Sequence, residues 1–372
     1  MYEVTPRLQA LGHEVKIYAK TMNKRTCFKE LLHLPVEIFP IKSSSMGLKF
    51  KKTFSRDIDY YWAHARTEMR ISRHIAEWHP DAVVFHYTGE LWLPPYFYYL
   101  QKPVGVLCLH VVPRGIKPFP VKTIKRKIGQ KLVRIPPIGL WRRSSYKKFR
   151  LIITHSLFMQ NQIQGTTSPE FATAGREIVP LGVDHSKFHP TGEEEPFFLY
   201  LGRVHPQKSV ELVIEAMKDV KSDYTLVIAG DIENQFSWYK DKLLNLAKQL
   251  QIMDRLEVIA SPTRSEVIRL IQRCSVFLFP STVDTFGLAA LEAMACGKPI
   301  VACKAGGIPE LLGDCGVLLD PEPRQWALTL RQLASNPRLR HQMGKRALKR
   351  SKHYSWEQTC ESLINALGKL PS

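Results

Sequence analysis

The sequence predicts an α/β protein of two domains with mostly parallel sheets. Three observations carry this. Short β-rich runs alternate with stretches of helical periodicity along the chain. Some of those runs, such as "VFLF" at 276–279, are apolar at every position, which suits parallel strands covered on both faces. The length of 372 residues exceeds what one core usually serves, and the acid-rich, Pro- and Gly-bearing stretch "HPTGEEEP" at 189–196 reads as a linker.

The chain opens on "MYEVTPRLQALGHEVKIYA", which begins as a helix and runs through Gly12 into a strand. A doubly wound domain ordinarily opens with a buried strand and a Gly-rich turn before its first helix. Neither is present, so the start of this domain is expected to be missing. "DAVVFH", "VGVLCLHV" and "LIITHS" supply further strands of the first half. The second half offers "FFLYLGRV", "YTLVIAGD", "RLEVIA", "VFLFPS" and "PIVACKAG" as strands. Between them "SVELVIEAMKDV", "WYKDKLLNLAKQLQ", "RSEVIRLIQRC", "GLAALEAMAC" and "RQWALTLRQLA" keep helical spacing. The expected domains are 1–185 and 190–350, with a closing helix in 351–372 packing back towards the first. Ligand is expected at the carboxyl ends of the strands, in a cleft between the domains.

Charge is unevenly placed. The chain has 53 Lys and Arg against 34 Asp and Glu. Residues 1–182 hold 29 and 12 of these, the remainder 24 and 22, and no Asp or Glu occurs from Leu91 to Pro169. Thirteen cations fall between Arg114 and Arg150, interleaved with apolar residues such as Ile116, Phe119 and Trp141. Such a segment suits an anionic membrane surface, with a solvated basic face as the alternative. Nucleic acid is not the expected partner, because stacking platforms and nucleic-acid motifs are missing. The apolar runs "LWLPPYFYYLQ" and "PVGVLCLHVVP" are too short and Pro-broken to span a bilayer. Seven cysteines with no CxxC pair read as reduced thiols of a cytosolic protein, not as a disulfide framework or zinc site.

Three constellations suggest chemistry. In "LGRVHPQKSVELVIEAM" a strand ends at Gly202-Arg203, and Lys208 falls just before a helix. Two cations beside orphan helix amides suit a diphosphate; otherwise they are solvated loop charges. In "DTFGLAALEAMAC" the amides of Phe286, Gly287 and Leu288 are expected to be free at a helix start, where Gly287 permits close approach. Asp284 precedes them and Glu292 lies about one and a half turns in, so both acids can face one crevice. Carboxylates are the usual partners of sugar hydroxyls. A dipole-complementing Asp284 and a surface Glu292 are the bland alternative, although the apolar setting of Glu292 favours a buried, paired role. His110 ends an apolar strand and is either structural or part of the site.

Together these stretches resemble glycosyltransferase family 4, the retaining enzymes of GT-B fold. The resemblance is dense over 178–365, resting on "IVPLGVDHSKFHP", "GRVHPQKS", "DTFGLAALEAMACGKPIVACKAGGIPE" and the late "YSWEQTCESL". It implies two Rossmann-like doubly wound domains facing a cleft, the first on the acceptor side and without its first strand. It implies that Arg203 and Lys208 hold the donor's diphosphate and Glu292 the ribose. The Phe286, Gly287 and Leu288 amides would meet the donor sugar and phosphate, and Asp284 the sugar hydroxyls. His110 matches the strand-end histidine beside the donor sugar. No metal is implied, since the cations would stabilise the leaving group, and no cofactor beyond the nucleotide-sugar substrate.

Asp284 is one methylene shorter than the usual first Glu, and the family's opening strand and Gly-Gly loop are absent. The chain as given is therefore expected to be poorly active or unstable. The expected reaction moves a hexose, mannose from GDP-mannose being the first guess and a UDP-hexose the next, to a lipid-linked or glycan acceptor. The expected place is the cytoplasmic membrane face, as a peripheral protein. The contrasting class is a non-catalytic basic protein binding membrane or nucleic acid. That class leaves the Arg203, Lys208, Asp284 and Glu292 set without a purpose.

Overall fold

The computed structural model describes residues 3–19, 36–38, 70–71, 73–87, 105–109, 149–166, 174–220, 223–232 and 236–370. The chain divides into two compact units. One comprises Met1–Thr154, Gln160–Val179 and Cys360–Ser372; the other comprises His155–Met159 and Pro180–Thr359.

The first unit opens with helix α1 (Val4–Ala10). Strands β1 (Ile17–Ala19) and β2 (Val36–Ile38) then pair in parallel, Ile17 opposite Val36. A separate parallel sheet joins β3 (Val83–Tyr87), β4 (Gly105–Leu109), β5 (Phe149–Thr154) and β6 (Gly175–Ile178) in that order. Helix α2 (Leu157–Thr166) follows β5. Strands β2 and β6 were not expected from the sequence. "VEI" and "GREI" are short and close a sheet at its edge, where neither face need be fully apolar.

The second unit is one six-stranded parallel sheet. Its strands are β7 (Glu195–Leu201), β8 (Thr225–Gly230), β9 (Leu256–Ala260), β10 (Cys274–Phe279), β11 (Ile300–Cys303) and β12 (Val317–Leu319). They lie in the order β12-β11-β10-β7-β8-β9. Helices α3 (Glu211–Asp219), α4 (Ser237–Gln249), α5 (Arg264–Arg273), α6 (Leu288–Ala295), α7 (Ile308–Leu312), α8 (Pro323–Ser335) and α9 (Pro337–Ser351) make the crossovers and outer cover.

The uniformly apolar runs are explained by two cores. Phe197, Leu199 and Leu201 of β7, with Phe277 and Phe279 of β10, face the core under α5, α6 and α7. Their neighbours Phe198, Tyr200, Val276 and Leu278 face the core under α3, α4 and α8. Successive strand residues point to opposite faces, so a sheet covered twice needs apolar residues at every position.

Growth of the sheet reverses direction between β7 and β10: β8 and β9 extend one way, β11 and β12 the other. That reversal is the topological switch point, where open α/β sheets bind ligand beyond the strands' carboxyl ends. Closing helix α10 (Trp356–Gly368) places Leu363, Ala366 and Leu367 in the first unit's core with Val106, Leu151 and Ile153. Among the described residues, no helix is long and apolar enough to cross a membrane.

Candidate functional site

At the switch point the carboxyl ends of β7 and β10 lie side by side, Tyr200 in register with Leu278. Beyond β7 the chain passes through Gly202 to an exposed Arg203. The Tyr200 hydroxyl donates to the Arg203 carbonyl at 2.8 Å, tying down this exit. Burial pushes the Tyr200 phenol well up, and the nearby Asp284 carboxylate adds to that, so it remains a neutral donor.

A short 3-10 turn (Pro206–Lys208) follows, capped by His205, whose Nδ1 accepts from the Gln207 amide at 3.1 Å. This turn aims Lys208 across the switch point. Its Nζ lies 2.6 Å from Asp284 Oδ2, with the two side chains 20% and 17% exposed. The helix amides beyond it are partly used. Val210 N–H donates to the Tyr239 hydroxyl and Leu212 N–H to the Ser209 carbonyl. The start of α3 therefore offers fewer free donors than the sequence suggests.

Beyond β10, the loop to α6 is shaped by glycine. Gly287 is the N-cap of α6 with φ 97° and ψ 49°, and a Cβ there would meet Ile308 Cδ1 at 2.3 Å. Gly306, at φ +64°, lies against the same loop, and its Cβ would fall 2.1 Å from the Asp284 carbonyl oxygen. Backbone conformation disfavours a side chain at both positions, and at Gly306 the Asp284 carbonyl also leaves no room for one.

One expectation is corrected here. The Phe286 amide is not free, because it donates to Asp284 Oδ1 at 3.2 Å, closing a tight local turn. The Phe286 ring is buried, edge-on to Tyr354. The Gly287 and Leu288 amides have no acceptor among the described residues and remain available at the helix start.

Glu292 is 6% exposed within α6. Its buried, paired character follows from the apolar helix around it, but the partner was not legible. Arg264 NH2 lies 2.9 Å from Glu292 Oε1, and its guanidinium stands 4.7 Å over the Phe188 ring. Arg264 is placed by the start of α5, where Thr263 and Glu266 form a capping box.

Sequence reasoning also missed two residues that brace the loop. Ser156 Oγ donates to the Thr285 carbonyl at 2.6 Å. The Glu310 carboxylate accepts the Leu157 amide at 2.8 Å and the Phe158 amide at 3.3 Å, capping α2. Glu310 ends the quoted "AGGIPE", so its motif was visible while its partner was not.

The structure thus gathers Arg203, Lys208, Asp284, Gly287 and Leu288 around one switch point, with Glu292 farther along α6. His110 and residues 114–148 of the basic tract lie outside the described residues. Among the described residues, no group of three or more His, Cys, Asp or Glu could hold a metal ion. What remains is a cluster of cations and free amides edged by carboxylates. Chemically it can neutralise a diphosphate and accept hydrogen bonds from hydroxyl groups.

Residues 184–350, which hold this whole arrangement, match the family model described as "Glycosyl transferases group 1". Over this segment the chain is similar to the group 1 glycosyltransferases. Among curated relatives, the D-inositol 3-phosphate glycosyltransferase of Kineococcus radiotolerans is 29% identical over 217 residues, 50% of each chain. An uncharacterized glycosyltransferase of Methanocaldococcus jannaschii is 31% identical over 211 residues, 56% of each. The chain spans about half the length of the curated relatives it matches.

Among solved structures, Anabaena HepE in complex with UDP and glucose superposes with a TM-score of 0.75 at 18% identity. That match covers 99% of this chain and 95% of that one. Sucrose-phosphate synthase from Thermosynechococcus elongatus gives 0.72 at 17% identity, covering 96% and 89%. These likenesses give the chain the GT-B fold, with Rossmann-like parallel sheets. Neither shows the loss of an opening strand that the sequence suggests.

Proposed function

We propose that this protein transfers a hexose from a nucleotide sugar to an acceptor hydroxyl with retention of anomeric configuration. The observation that carries the reading is the Lys208–Asp284 contact across the switch point, with Arg203 and the free Gly287 and Leu288 amides beside it. As the bond between the anomeric carbon and the diphosphate breaks, negative charge builds on the leaving phosphate. Arg203, Lys208 and the α6 amides are already set to receive it, and preorganised donors act most where charge develops. Positive charge builds on the sugar ring, where Asp284 is the nearby carboxylate. Asp284 also accepts from sugar hydroxyls and Glu292 from the ribose, and the family resemblance assigns His110 to the donor sugar. In this reading protein cations do the work of leaving-group stabilisation.

The second unit is then the donor side and the first the acceptor side, with a lipid-linked or glycan acceptor. Mannose from GDP-mannose is the expectation read from the sequence. A UDP-hexose is the second reading, favoured by the likeness to HepE, a structure solved in complex with UDP and glucose. The basic tract 114–150 supports action at the cytoplasmic face of an anionic membrane.

The test is to incubate the protein with labelled GDP-mannose and UDP-glucose and follow binding and hydrolysis. Turnover of either donor, lost in Lys208→Met, supports the reading and selects the base. Absence of binding and hydrolysis for both leaves a non-catalytic basic binding protein.

A further inference from the structure

The near-neutral balance of the second half hides a strong segregation. From Pro323 to Trp356 there is no Asp or Glu, while nine Lys and Arg occur. Most of them lie on α9, whose inner face is fixed by packing. Met343, Ala347 and Ser351 are buried, and Arg340, also buried, donates to the Leu333 carbonyl and pairs with Glu194.

That seating turns Arg338, His341, Lys345, Lys349 and the cap residue Lys352 outward, and all five are exposed. At 3.6 residues per turn they fall within an arc of ~80° and run for ~21 Å. Arg338, Lys345, Lys349 and Lys352 have no acidic partner among the described residues.

The row works against the helix that carries it. Lys345 stands four residues from Lys349, a spacing at which like charges repel. Arg338 occupies the first turn, where the helix dipole disfavours a cation. Only Lys349 and Lys352 lie at the end where the dipole favours them. Stability of α9 does not account for the stripe, so a partner outside the chain is the natural explanation.

We propose that the outer face of α9 is a docking surface for an anionic phospholipid bilayer. A straight row of long cationic side chains on an outward helix face meets a plane of phosphate headgroups along its whole length. The Lys and Arg stems can lie along the interface while their charges reach the headgroups. Single-stranded nucleic acid would call for stacking platforms, and the row contains no Phe, Tyr or Trp. The inference rests on the second unit alone, apart from the tract 114–150 and apart from the transferase reading.

The experiment is co-sedimentation of the full chain with phosphatidylcholine vesicles, with and without phosphatidylserine. The variant carries Arg338→Glu, Lys345→Glu and Lys349→Glu. Wild type partitions onto the charged vesicles, and the variant binds them at least about a hundredfold more weakly. Salt weakens the wild-type binding in the same direction. If the reversed variant has a lowered melting temperature, the neutral pair Lys345→Gln and Lys349→Gln carries the test, with an intermediate loss expected.

Equal partition of variant and wild type would overturn the proposal, as would equal wild-type binding to uncharged vesicles. Loss of duplex DNA binding in the variant with vesicle binding intact would assign the face to nucleic acid and overturn it too. Because no donor turnover is read, failure here leaves the transferase reading untouched.

Discussion

Replacing Arg264 by Met tests whether Glu292 is held as a buried ion pair. The carboxylate side chain is 8% exposed and the guanidinium 27%, with 2.9 Å between NH2 and Oε1. Breaking a fully buried pair from one side costs about 3–5 kcal/mol, because the remaining charge stays desolvated. Arg264 is more than a quarter exposed, so water trims that figure, and about 2–3 kcal/mol is expected here. Glu292→Gln leaves the partly hydrated Arg264 without its anion and should cost about 1–2 kcal/mol.

The double variant carries neither charge. If the two act as a pair, its loss falls short of the summed single losses by about 1–2 kcal/mol. Urea unfolding of wild type, both single variants and the double variant, followed by far-UV circular dichroism, supplies the cycle. Strict additivity, within about 0.5 kcal/mol, would refute the pairing as the reason for Glu292's burial. Activity provides a second axis: under the proposed ribose contact of Glu292, Glu292→Gln should raise donor KM about tenfold or more.

Three further outcomes are expected. Lys208→Met should lower kcat by about 10²–10³-fold with a smaller change in donor KM, as for removal of a donor aimed at developing charge; an unchanged kcat in steady-state assays would remove Lys208 from the leaving-group site. Gly287→Ala forces a Cβ into left-handed backbone and against Ile308 Cδ1 at 2.3 Å, which should cost roughly 2–4 kcal/mol and about 5–15 °C in thermal midpoint. At Asp184, burial raises the carboxyl, but Lys187 and the Ser186 hydrogen bonds outweigh it and bring the pKa down from 3.8 to about 2. Its stabilisation is therefore present above about pH 4 and lost as pH falls through 2, so Asp184→Asn should lower the midpoint at neutral pH and flatten its fall across that window.

Much of this fold is legible because its signals are local. Short β-rich runs, several of them apolar at every position, mark buried strands, and nine of the twelve strands among the described residues coincide with them. The edge strands β2, β6 and β12 were not legible, since a short half-covered strand needs no such run. Helix α9 escaped for a different reason. It is rich in cations, and averaging charge over half the chain cancelled its excess against the acids of 183–322.

The residues that could hold a donor were also legible one by one: Arg203 and Lys208 after one strand, Asp284 and Glu292 around one helix start. Their pairings were decided only in three dimensions. Lys208 and Asp284 are 76 positions apart, Arg264 and Glu292 are 28, and no periodicity links them. Strand order brings β7 beside β10, and side-chain reach then sets which charges meet. The Phe286 amide shows the limit most plainly. A helix start promises free donors, yet whether an amide stays free depends on where the Asp284 carboxylate settles, and its pairing with Lys208 across the switch point is tertiary.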